Sequence, residues 1–404
     1  MYIYSAHLTK EGVIRVSKTN VKIGIIGAGQ IANQHLGRYH GIDGVEIAAI
    51  ADVVKAKAEK AAQDFGIPYV YDDPRKMLEQ EDITAVDVCV HNNKHMPLTV
   101  AALEAGKHVY CEKPMAGSYP DAKVMKETAD RVGKYLHIQL AQLYTSHTQV
   151  AKKLIDSGRL GRLYHARSKG HRRRGRPYVD GYGNPAFVNK FISGGGALYD
   201  MAVYHISRML FLLGNPAVNR VGGKVYQELP MHEERKRQSG YNVEELALGF
   251  VRFENSVTMD IIESWAVHSD KFEGSTVFGN EGGIRIDETA DTLEYFHVID
   301  DMEASTYINP AQVKYRWKTV DGIDDAYDSS QHHWVRALQG RTALLPSAEI
   351  ALNTMLIQEG IFLSDKLGRE VGVEDIEKMA KSTALTGEDI YTDDEVLLKR
   401  HLSH

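Results

Sequence analysis

The 404-residue chain has few of the residues that mark secreted, metal-binding and membrane proteins. Its two cysteines, Cys89 and Cys111, are too few for a disulfide framework and lack the spacing of metal ligands. No apolar run approaches the roughly 20 residues needed to cross a bilayer. The first ten residues also lack the pattern of a signal peptide. We therefore expect a cytoplasmic protein with no metal site and no membrane contact.

An excess of positive charge is also absent. The 48 Lys and Arg residues are outnumbered by 54 Asp and Glu residues, for a formal net charge of −6. This balance argues against a partner that is nucleic acid or an anionic membrane. The hydrophobic fraction of 43% is that of an ordinary globular protein, and the length suffices for two or three domains. The expected partners are small molecules and other copies of the chain.

The arrangement of apolar segments divides the chain into two domains and two extensions. From residue 21 to 142, short apolar segments alternate with amphipathic ones, which predicts a doubly wound parallel sheet of the Rossmann type. From 143 to 371, longer alternating segments lie between helical ones and predict an α/β domain with an open sheet. Residues 1–20 and 372–404 are extensions, interpreted either as oligomerisation arms or as peripheral packing.

A glycine pattern follows the first apolar segment, at the start of a predicted helix. In GIIGAGQIA, Gly27 permits a tight turn, Gly29 lets a pyrophosphate approach the backbone, and Ala32 keeps helix and strand close. The phosphates would lie at the helix N-terminus, where free N–H groups point at them. We place Gln30 and Ile31, the next residues of the loop, in the same dinucleotide site.

An acidic residue ends the second predicted strand. Asp52 stands twenty residues beyond Ala32, where its carboxylate can accept hydrogen bonds from both ribose hydroxyls. The same charge would repel a 2′-phosphate, so the sequence favours NAD over NADP as the cofactor. Lys55 and Lys57 lie close by and weaken that preference.

Polar residues follow two later strands of the predicted sheet. Asn92 and His95 lie in VCVHNNKHMP, and Glu112 and Lys113 lie in HVYCEKPMAG. Ligands of open parallel sheets bind at the carboxyl ends of strands, so we expect these four residues beside the nicotinamide. Pro114 restricts Lys113 to extended geometry. We interpret Lys113 as a catalytic group or substrate anchor rather than as a solvated loop lysine.

Four segments occur in the order and spacing of one known family: GIIGAGQIA, AALEAGKHVYCEKPMA, SGRLG and GGGALYDMAVYHI. On these motifs the chain resembles the glucose-fructose oxidoreductase, inositol dehydrogenase and MocA family over residues 21 to 371. The resemblance implies a Rossmann domain followed by an α/β domain whose sheet is mainly antiparallel and assembles many members into homo-oligomers. It also implies NAD-dependent oxidation or reduction of a sugar or cyclitol hydroxyl, with Lys113 contacting both substrate and cofactor.

The last of these segments supplies the other catalytic candidates. The family usually has an aspartate followed four residues later by histidine, whereas here Tyr204 stands four after Asp200 and the histidine is His205. On a helix, a four-residue step returns to within about 40° of the same face and a five-residue step lands about 140° away. We therefore predict that Asp200 orients, that Tyr204 exchanges the proton, and that His205 points elsewhere. Neighbouring cations are expected to lower the pKa of the Tyr204 phenol. Lys113 remains an alternative base.

A loop rich in arginine and tyrosine, GHRRRGRPYVDGYGNP, precedes the glycines. It is interpreted either as a cover of the sugar pocket or as a basic surface or subunit-contact loop. We keep Tyr178 and Tyr182 in this loop, with His205, as candidate substrate contacts. The loop together with the Asp200 segment is similar to family members that oxidise the 3-hydroxyl of glucosides, including C-glycosides.

The resulting prediction is an NAD-dependent oxidoreductase that oxidises a secondary hydroxyl of a sugar or glycoside, with C3 as the candidate position. In one version NAD stays bound and is recycled by a second sugar. Two alternatives remain open. One is a redox-assisted glycosidase, in which transient oxidation leads to loss of the aglycone and NAD is regenerated. The other is an NAD-sensing protein that carries out no chemistry.

Overall fold

The structure is a computed structural model that describes residues 20–287 and 289–403. The predicted N-terminal extension, residues 1–20, therefore lies outside the described residues apart from Asn20. Within the described part of the chain, no helix is long and apolar enough to cross a membrane.

The N-terminal half forms a parallel sheet with helices on both faces. Its strands are β1 (Val21–Ile26), β2 (Val45–Ala51), β3 (Tyr69–Tyr71), β4 (Ala85–Val88), β5 (His108–Cys111) and β6 (Leu136–Ile138). Its helices are α1 (Gln30–Tyr39), α2 (Lys55–Phe65), α3 (Pro74–Leu78), α4 (Asn92–Glu104) and α5 (Tyr119–Val132). The strand order β3-β2-β1-β4-β5-β6 reverses beside β1, and such a switch point opens a crevice for ligands. The prediction of a doubly wound Rossmann sheet is confirmed.

Local sequence signals explain where these elements begin and end. Ile23 and Ile25 of β1 are fully buried, as expected for a parallel strand covered on both faces. Asp73 caps α3, because its Oδ1 accepts a hydrogen bond from the backbone N of Arg75 at 2.9 Å. Pro74 takes the first position of that helix, where it costs no hydrogen bond.

The second half is built on a larger, mainly antiparallel sheet. Its strands are β7 (Leu163–His171), β8 (Val218–Tyr226), β9 (Leu246–Phe253), β10 (Thr258–Ser264), β11 (Ser275–Gly279), β12 (Gly283–Asp287), β13 (Thr292–Ile299), β14 (Met302–Ile308) and β15 (Val371–Gly372). They lie in the order β14-β13-β12-β11-β7-β10-β9-β8-β15. β9 and β10 form an antiparallel hairpin, while β10 pairs with β7 in parallel. The predicted open, mainly antiparallel sheet is therefore confirmed.

Between β6 and β15 the helices are α6 (Ser146–Asp156), α7 (Lys190–Ser193), α8 (Ala197–Asp200), α9 (Ala202–Leu213), α10 (Glu233–Ser239), α11 (Pro310–Thr319), α12 (Ser330–Leu338) and α13 (Ser347–Leu367). Of these, α6, α8, α9 and α13 pack on the large sheet. α13 packs directly on β8 and β9, where Ile361 lies against Gly223 and Gly249. A Cβ at Gly223 would meet Ile361 at 2.9 Å, so glycine allows helix and sheet to approach closely.

The chain crosses back from the second half to the first. Trp334 and Val335 of α12 are buried in the same apolar cluster as Ile23 and Ile25 of β1. The C-terminal extension, residues 372–404, contains α14 (Val373–Met379) and α15 (Asp394–Leu402). The crossover fixes the two sheets relative to each other, and the cavity between them holds the site.

Candidate active site

A cavity of about 850 Å³ begins at the carboxyl ends of β1 and β2 and extends to β7 and α9. Its volume lies within the usual range for small-molecule sites. Most of the predicted site residues line it: Gly27, Gly29, Gln30, Ile31, Asp52, Asn92, Glu112, Lys113, Tyr182, Asp200, Tyr204 and His205. Residues far apart in the sequence therefore meet at one cavity.

The glycine loop is shaped by its lack of side chains. Gly27 has a φ of +96°, and a Cβ there would lie 2.3 Å from the backbone O of Cys89. A Cβ on Gly29 would meet no atom within 4 Å, so this side of the loop is open to a ligand. No side chain caps α1 at Gly29, which leaves the first N–H groups of that helix available to an anion.

Asp52 holds the loop in place. Its Oδ2 accepts a hydrogen bond from the backbone N of Ala28 at 2.7 Å, and its Oδ1 accepts one from the backbone N of Val54 at 2.8 Å. Each carboxylate oxygen can accept a further hydrogen bond, so the carboxylate is also able to bind ribose hydroxyls. The open space beside Gly29, the free N-terminus of α1 and this carboxylate together fit a dinucleotide.

At the other end of the cavity, Lys113 and Asp200 form an ion pair. Lys113 Nζ donates hydrogen bonds to Asp200 Oδ1 at 2.8 Å and to the Asp200 backbone O at 2.9 Å. Burial alone would lower the pKa of Lys113, but Asp200, Tyr204 and Glu112 raise it above its ordinary value. Burial would raise the pKa of Asp200, but the larger opposing effect of Lys113 and its neighbours holds that pKa below its ordinary value. The pair is therefore an ammonium beside a carboxylate.

Tyr204 lies next to this pair. Lys113 Nζ is 4.5 Å from the centroid of the Tyr204 ring. Burial raises the pKa of the phenol above its ordinary value, and the opposing effect of Lys113 is smaller. The expectation that cations lower the pKa of Tyr204 is therefore wrong for the protein alone, because desolvation dominates.

His205 departs from its predicted position. The segment is not one helix, since α8 ends at Asp200 and α9 begins at Ala202, and His205 lines the same cavity as Asp200 and Tyr204. The prediction that His205 points elsewhere was wrong, because the argument from helical steps assumed an unbroken helix.

A buried carboxylate that we did not predict holds this histidine. His205 Nδ1 lies 2.9 Å from Glu263 Oε2, and Glu263 on β10 is fully buried. A Cβ on Gly170 would lie 1.8 Å from Glu263 Oε1 and 2.5 Å from His205 Cε1. Glu263 alternates with Met259 and Ile261 at inward positions of its strand. A lone glutamate at such a position was the signal that would have found it.

A second buried network lies behind Lys113. His35 Nδ1 is 2.8 Å from Asp87 Oδ2, and His35 Nε2 is 2.8 Å from Glu112 Oε1. Burial would lower the pKa of His35, but Asp87 and its hydrogen bond raise it well above the ordinary value. Glu112 Oε2 accepts a hydrogen bond from the backbone N of Lys113 at 2.9 Å. An imidazolium between two carboxylates thus positions the lysine, and sequence reasoning missed it.

Cys89 adjoins this network. Its Sγ donates to Asp87 Oδ1 at 3.3 Å, and His35, Asp87 and Cys89 offer ligand atoms within 4.8 Å of one another. Burial raises the pKa of the Cys89 thiol, and both His35 nitrogens already face carboxylates. These contacts are accounted for by hydrogen bonding, and the absence of a metal site stays a prediction.

The two polar residues predicted after β4 take different positions. Asn92 lines the cavity, with its Nδ2 donating to the backbone O of Ser193 at 2.7 Å. His95 is fully buried, and its ring nitrogens lie 2.8 Å from the O of Pro114 and 3.0 Å from the O of Val90. The prediction that His95 contacts the cofactor was wrong, because its ring braces the segment that follows Lys113.

The two loop tyrosines also separate. Tyr182 lines the cavity, and Arg172 Nη1 donates to its hydroxyl at 2.5 Å. Tyr178 has a φ of +60° and donates its hydroxyl hydrogen to Gln238 Oε1 at 2.8 Å, beneath the guanidinium of Arg235. The prediction of Tyr178 as a substrate contact was wrong, since the turned backbone directs its ring toward α10.

The interpretation of this loop as a basic surface fits Arg172, Arg173 and Arg174, which are exposed, but not the fourth arginine. Arg176 is only 1% exposed and pairs with Asp180 at 3.0 Å and with Glu245 at 2.8 Å. Its guanidinium also donates to the backbone O of Leu229 and Pro230. The arginine thus anchors the loop, which brings Arg172 and Tyr182 to the cavity.

The cavity near Lys113 has a polar lining. Its donors and acceptors come from β7, α9 and β12 and from the segments beside them: Gln142, Lys169, His171, Arg172, Arg208, Asp287 and Thr289. A lining of this kind suits a ligand with several hydroxyl groups, since each can be given a partner.

Comparison with known families identifies both halves. Residues 21–140 match the family described as an oxidoreductase family with an NAD-binding Rossmann fold, and residues 148–285 match the GFO/IDH/MocA C-terminal domain. The chain belongs to the Gfo/Idh/MocA oxidoreductase family. The resemblance stated from the motifs is thus confirmed, and with it the prediction of NAD as cofactor.

Individual relatives cover nearly the whole chain. The chain is 27% identical over 364 residues to the D-glucoside 3-dehydrogenase of Escherichia coli strain K12, which spans 88% of this chain and 98% of that protein. It is 26% identical over 387 residues to the D-apiose dehydrogenase of Paraburkholderia graminis, at 93% and 96% coverage. A solved levoglucosan dehydrogenase in complex with NADH has a similar fold, with a TM-score of 0.74, 24% identity, and coverage of 88% and 99%.

Proposed function

We propose that this Gfo/Idh/MocA enzyme oxidises a secondary hydroxyl of a sugar or glycoside, with C3 of a glucoside as the reacting position. The observation that carries the proposal is the buried Lys113–Asp200 pair, which lies at the polar end of a cavity whose other end is the glycine loop. The names of the relatives support the substrate class, and the D-glucoside 3-dehydrogenase of Escherichia coli supports the position. Bound NAD supplies the hydride acceptor.

In this proposal Lys113 and Tyr204 bind the reacting hydroxyl. The ammonium of Lys113, fixed by Asp200 at 2.8 Å, donates a hydrogen bond to the substrate oxygen and stabilises negative charge as its proton leaves. The Tyr204 phenol, beside that ammonium, is a second donor. Asp200 acts by holding the lysine in place.

The proton acceptor has two candidates, Tyr204 and His205. A group accepts a proton only in its deprotonated form, and burial raises the pKa of Tyr204 above its ordinary value. Glu263 orients the His205 ring through Nδ1, which is how carboxylates prepare an imidazole to act as a general base. We therefore propose His205 Nε2 as the acceptor, in place of the Tyr204 predicted from the sequence.

The proposal is tested by supplying the purified enzyme with NAD and a methyl glucoside and recording the absorbance band of reduced nicotinamide. The matched control is the 3-deoxy glucoside, which differs by one hydroxyl. We expect the band with the glucoside and none with the control. Equal bands would contradict C3 as the position, and no band with any sugar or cyclitol would contradict the activity.

The same reaction mixture separates the two alternatives predicted from the sequence. A dehydrogenase yields an oxidised glycoside that keeps its aglycone, together with one reduced cofactor for each product. A redox-assisted glycosidase instead releases free sugar without net reduction of NAD. Cofactor binding without either product would identify an NAD-sensing protein. Recycling of bound NAD by a second sugar would appear as turnover beyond the amount of cofactor supplied.

We also propose that a second copy of the chain covers the open face of the large sheet. Tyr164, Phe250 and Phe278 are 45%, 36% and 37% exposed, respectively. Tyr164 and Phe278 stack with ring centroids 6.2 Å apart. Aromatic clusters of this kind on a sheet face are typical of protein interfaces.

A further inference from the structure

The end of the C-terminal extension, residues 382–403, runs along the cavity at the end where Asp52 lies. We call this segment the C-terminal strap. Its residues Ile390, Asp393 and Asp394 line the same cavity as Asp52 and Lys57. The strap lies outside both segments matched by the family, which end at residues 140 and 285.

Hydrogen bonds attach the strap to the Rossmann domain. The buried carboxylate of Asp121 accepts hydrogen bonds from Ser382 Oγ at 2.5 Å and from the backbone N of Thr383 at 2.9 Å. The backbone N of Leu385 donates to the O of Asn93 at 3.0 Å. These contacts fix the start of the strap beside the N-terminal end of α4.

Apolar contacts attach the other end of the strap to the second domain. Leu398 is buried in a cluster with Ala186 and Ile192. The ring of His401 stacks on Phe191 with centroids 4.4 Å apart. The strap is thus held by both domains, and its middle, residues 390–394, is left across the cavity.

An ion pair between a buried lysine and the partly exposed Asp394 holds that middle portion. The side chain of Lys94 is only 4% exposed, and its Nζ lies 2.8 Å from Asp394 Oδ1 and donates to the backbone O of Thr392 at 2.6 Å. A buried ammonium that loses its carboxylate partner keeps its desolvation cost without the compensating attraction. Docking of the strap therefore depends on Asp394.

The strap also pairs with a lysine that lines this end of the cavity, since Lys57 Nζ lies 3.5 Å from Asp393 Oδ2. Beside the cavity, the Arg75 guanidinium pairs with Asp73 and lies 4.0 Å from the centroid of the Tyr391 ring. A 2′-phosphate is normally bound by such cations. With Lys57 paired to Asp393, its charge no longer offsets the repulsion between Asp52 and that phosphate.

We propose that the C-terminal strap is part of the cofactor site, where it retains NAD and excludes NADP. Asp394 keeps the strap docked over the Asp52 end of the cavity, so the dinucleotide leaves only when the strap moves. Asp393 neutralises Lys57, the cation that a 2′-phosphate would otherwise use. This assignment depends on the NAD-binding domain and not on the proposed sugar substrate.

The test measures binding without any sugar, by titrating NADH and NADPH against full-length protein and following nicotinamide fluorescence. For Asp394→Asn we expect release of NADH to be about tenfold faster, if the undocked fraction of the strap, from which NADH leaves, rises about tenfold. For Asp393→Asn we expect the affinity for NADPH relative to NADH to rise about threefold, the size of one exposed charge pair. Asp389→Asn is the matched control, since Asp389 pairs with exposed Arg400 and does not line the cavity.

Release rates and affinity ratios equal to those of Asp389→Asn would overturn the proposal. Circular dichroism shows whether Asp394→Asn is folded, and if it is not, the Asp393→Asn ratio decides alone. Because sugar is absent, failure of the proposed oxidation leaves this test intact. Normal sugar oxidation would likewise not support the strap proposal if the strap variants bind both cofactors as the control does.

Discussion

The two ends of the cavity are built from different parts of the chain. The cofactor end uses the backbone of one short loop, with Gly27, Gly29 and the carboxylate of Asp52 that holds it. The sugar end uses side chains brought together from distant elements, such as Lys113 with Asp200 and His205 with Glu263. A backbone site places strict demands on a few adjacent residues, whereas a side-chain site allows its members to be spread along the sequence.

The largest effect is expected at the sugar end, from removing the ammonium. Lys113→Ala should slow oxidation of the sugar on the order of 10³-fold, the usual cost of one preorganised charge donor, while NADH binding changes little. Stopped-flow reduction of NAD with saturating glucoside measures the rate, and Lys113→Arg is the matched control for charge alone. A rate within tenfold of wild type for Lys113→Ala would remove the lysine from the proposed site.

The next largest effect is expected from His35, which lies between the two carboxylates behind Lys113. His35→Ala leaves the buried carboxylates of Asp87 and Glu112 without their cation and should lower the free energy of unfolding by about 3 kcal/mol. The pKa of His35 is raised, so its contribution is complete below the unfolded pKa near 6.5 and is lost as pH rises through the folded pKa. Urea unfolding at several pH values measures this, and a difference between variant and wild type that grows with pH would contradict it.

Two variants distinguish the candidate proton acceptors at the sugar end, His205 and Tyr204. His205→Gln should reduce kcat/KM for oxidation about 10²-fold, the typical contribution of a general base. Tyr204→Phe leaves the His205 imidazole and its Glu263 partner in place and should reduce kcat/KM less. A loss in Tyr204→Phe that equals or exceeds the loss in His205→Gln would return the role to the tyrosine.

At the cofactor end, adding one methyl group to Gly29 tests whether the open space beside it holds the cofactor. A Cβ on Gly29 meets no protein atom within 4 Å, so Gly29→Ala should fold normally but fill space meant for the ligand. We expect NADH to bind about tenfold more weakly, or about 1.4 kcal/mol. Gly37→Ala lies within α1, the helix that Gly29 precedes, and its Cβ would likewise meet no atom within 4 Å apart from its chain neighbours and the backbone of its own helix. It is the matched control and should bind NADH normally. Unaltered binding by Gly29→Ala would place the cofactor elsewhere.

The smallest effect concerns the open face of the large sheet, away from both ends of the cavity. Phe278→Glu should weaken self-association by about 1 kcal/mol, the cost of an interface residue that is not a hot spot. Tyr69→Glu places the same charge on the exposed edge strand β3, where the aromatic side chain is 61% exposed, and should leave association unchanged. Light scattering over a range of concentrations measures both variants. Equal association of the two would show that the sheet face is free.

The same contrast decides what the sequence predicts. The Rossmann sheet, the glycine loop and Asp52 follow from local patterns, because each requirement falls on neighbouring residues. The pairing of Lys113 with Asp200 follows from the family motifs. Glu263 and His35 were missed because their partners lie 58 and 77 residues away in the sequence. The periodicity of a helix or strand gives no information about contacts between residues so far apart in the sequence.

The wrong assignments have local causes. The helix breaks between Asp200 and Ala202 and brings His205 to the cavity. Tyr178 takes a left-handed backbone that turns its ring away. His95 follows a strand whose end faces the cofactor site, but both nitrogens of its buried ring face backbone carbonyls instead. Each case depends on where a side chain points, which residue type and spacing do not determine.

The most direct test of the proposed oxidation follows the hydrogen that leaves the sugar. The enzyme is given NAD and a glucoside carrying deuterium at C3, and the reduced cofactor is recovered and analysed by mass spectrometry. We expect one deuterium in the cofactor from the C3-labelled glucoside and none from a C2-labelled control. Reduced cofactor that carries only protium from the C3-labelled glucoside would contradict it.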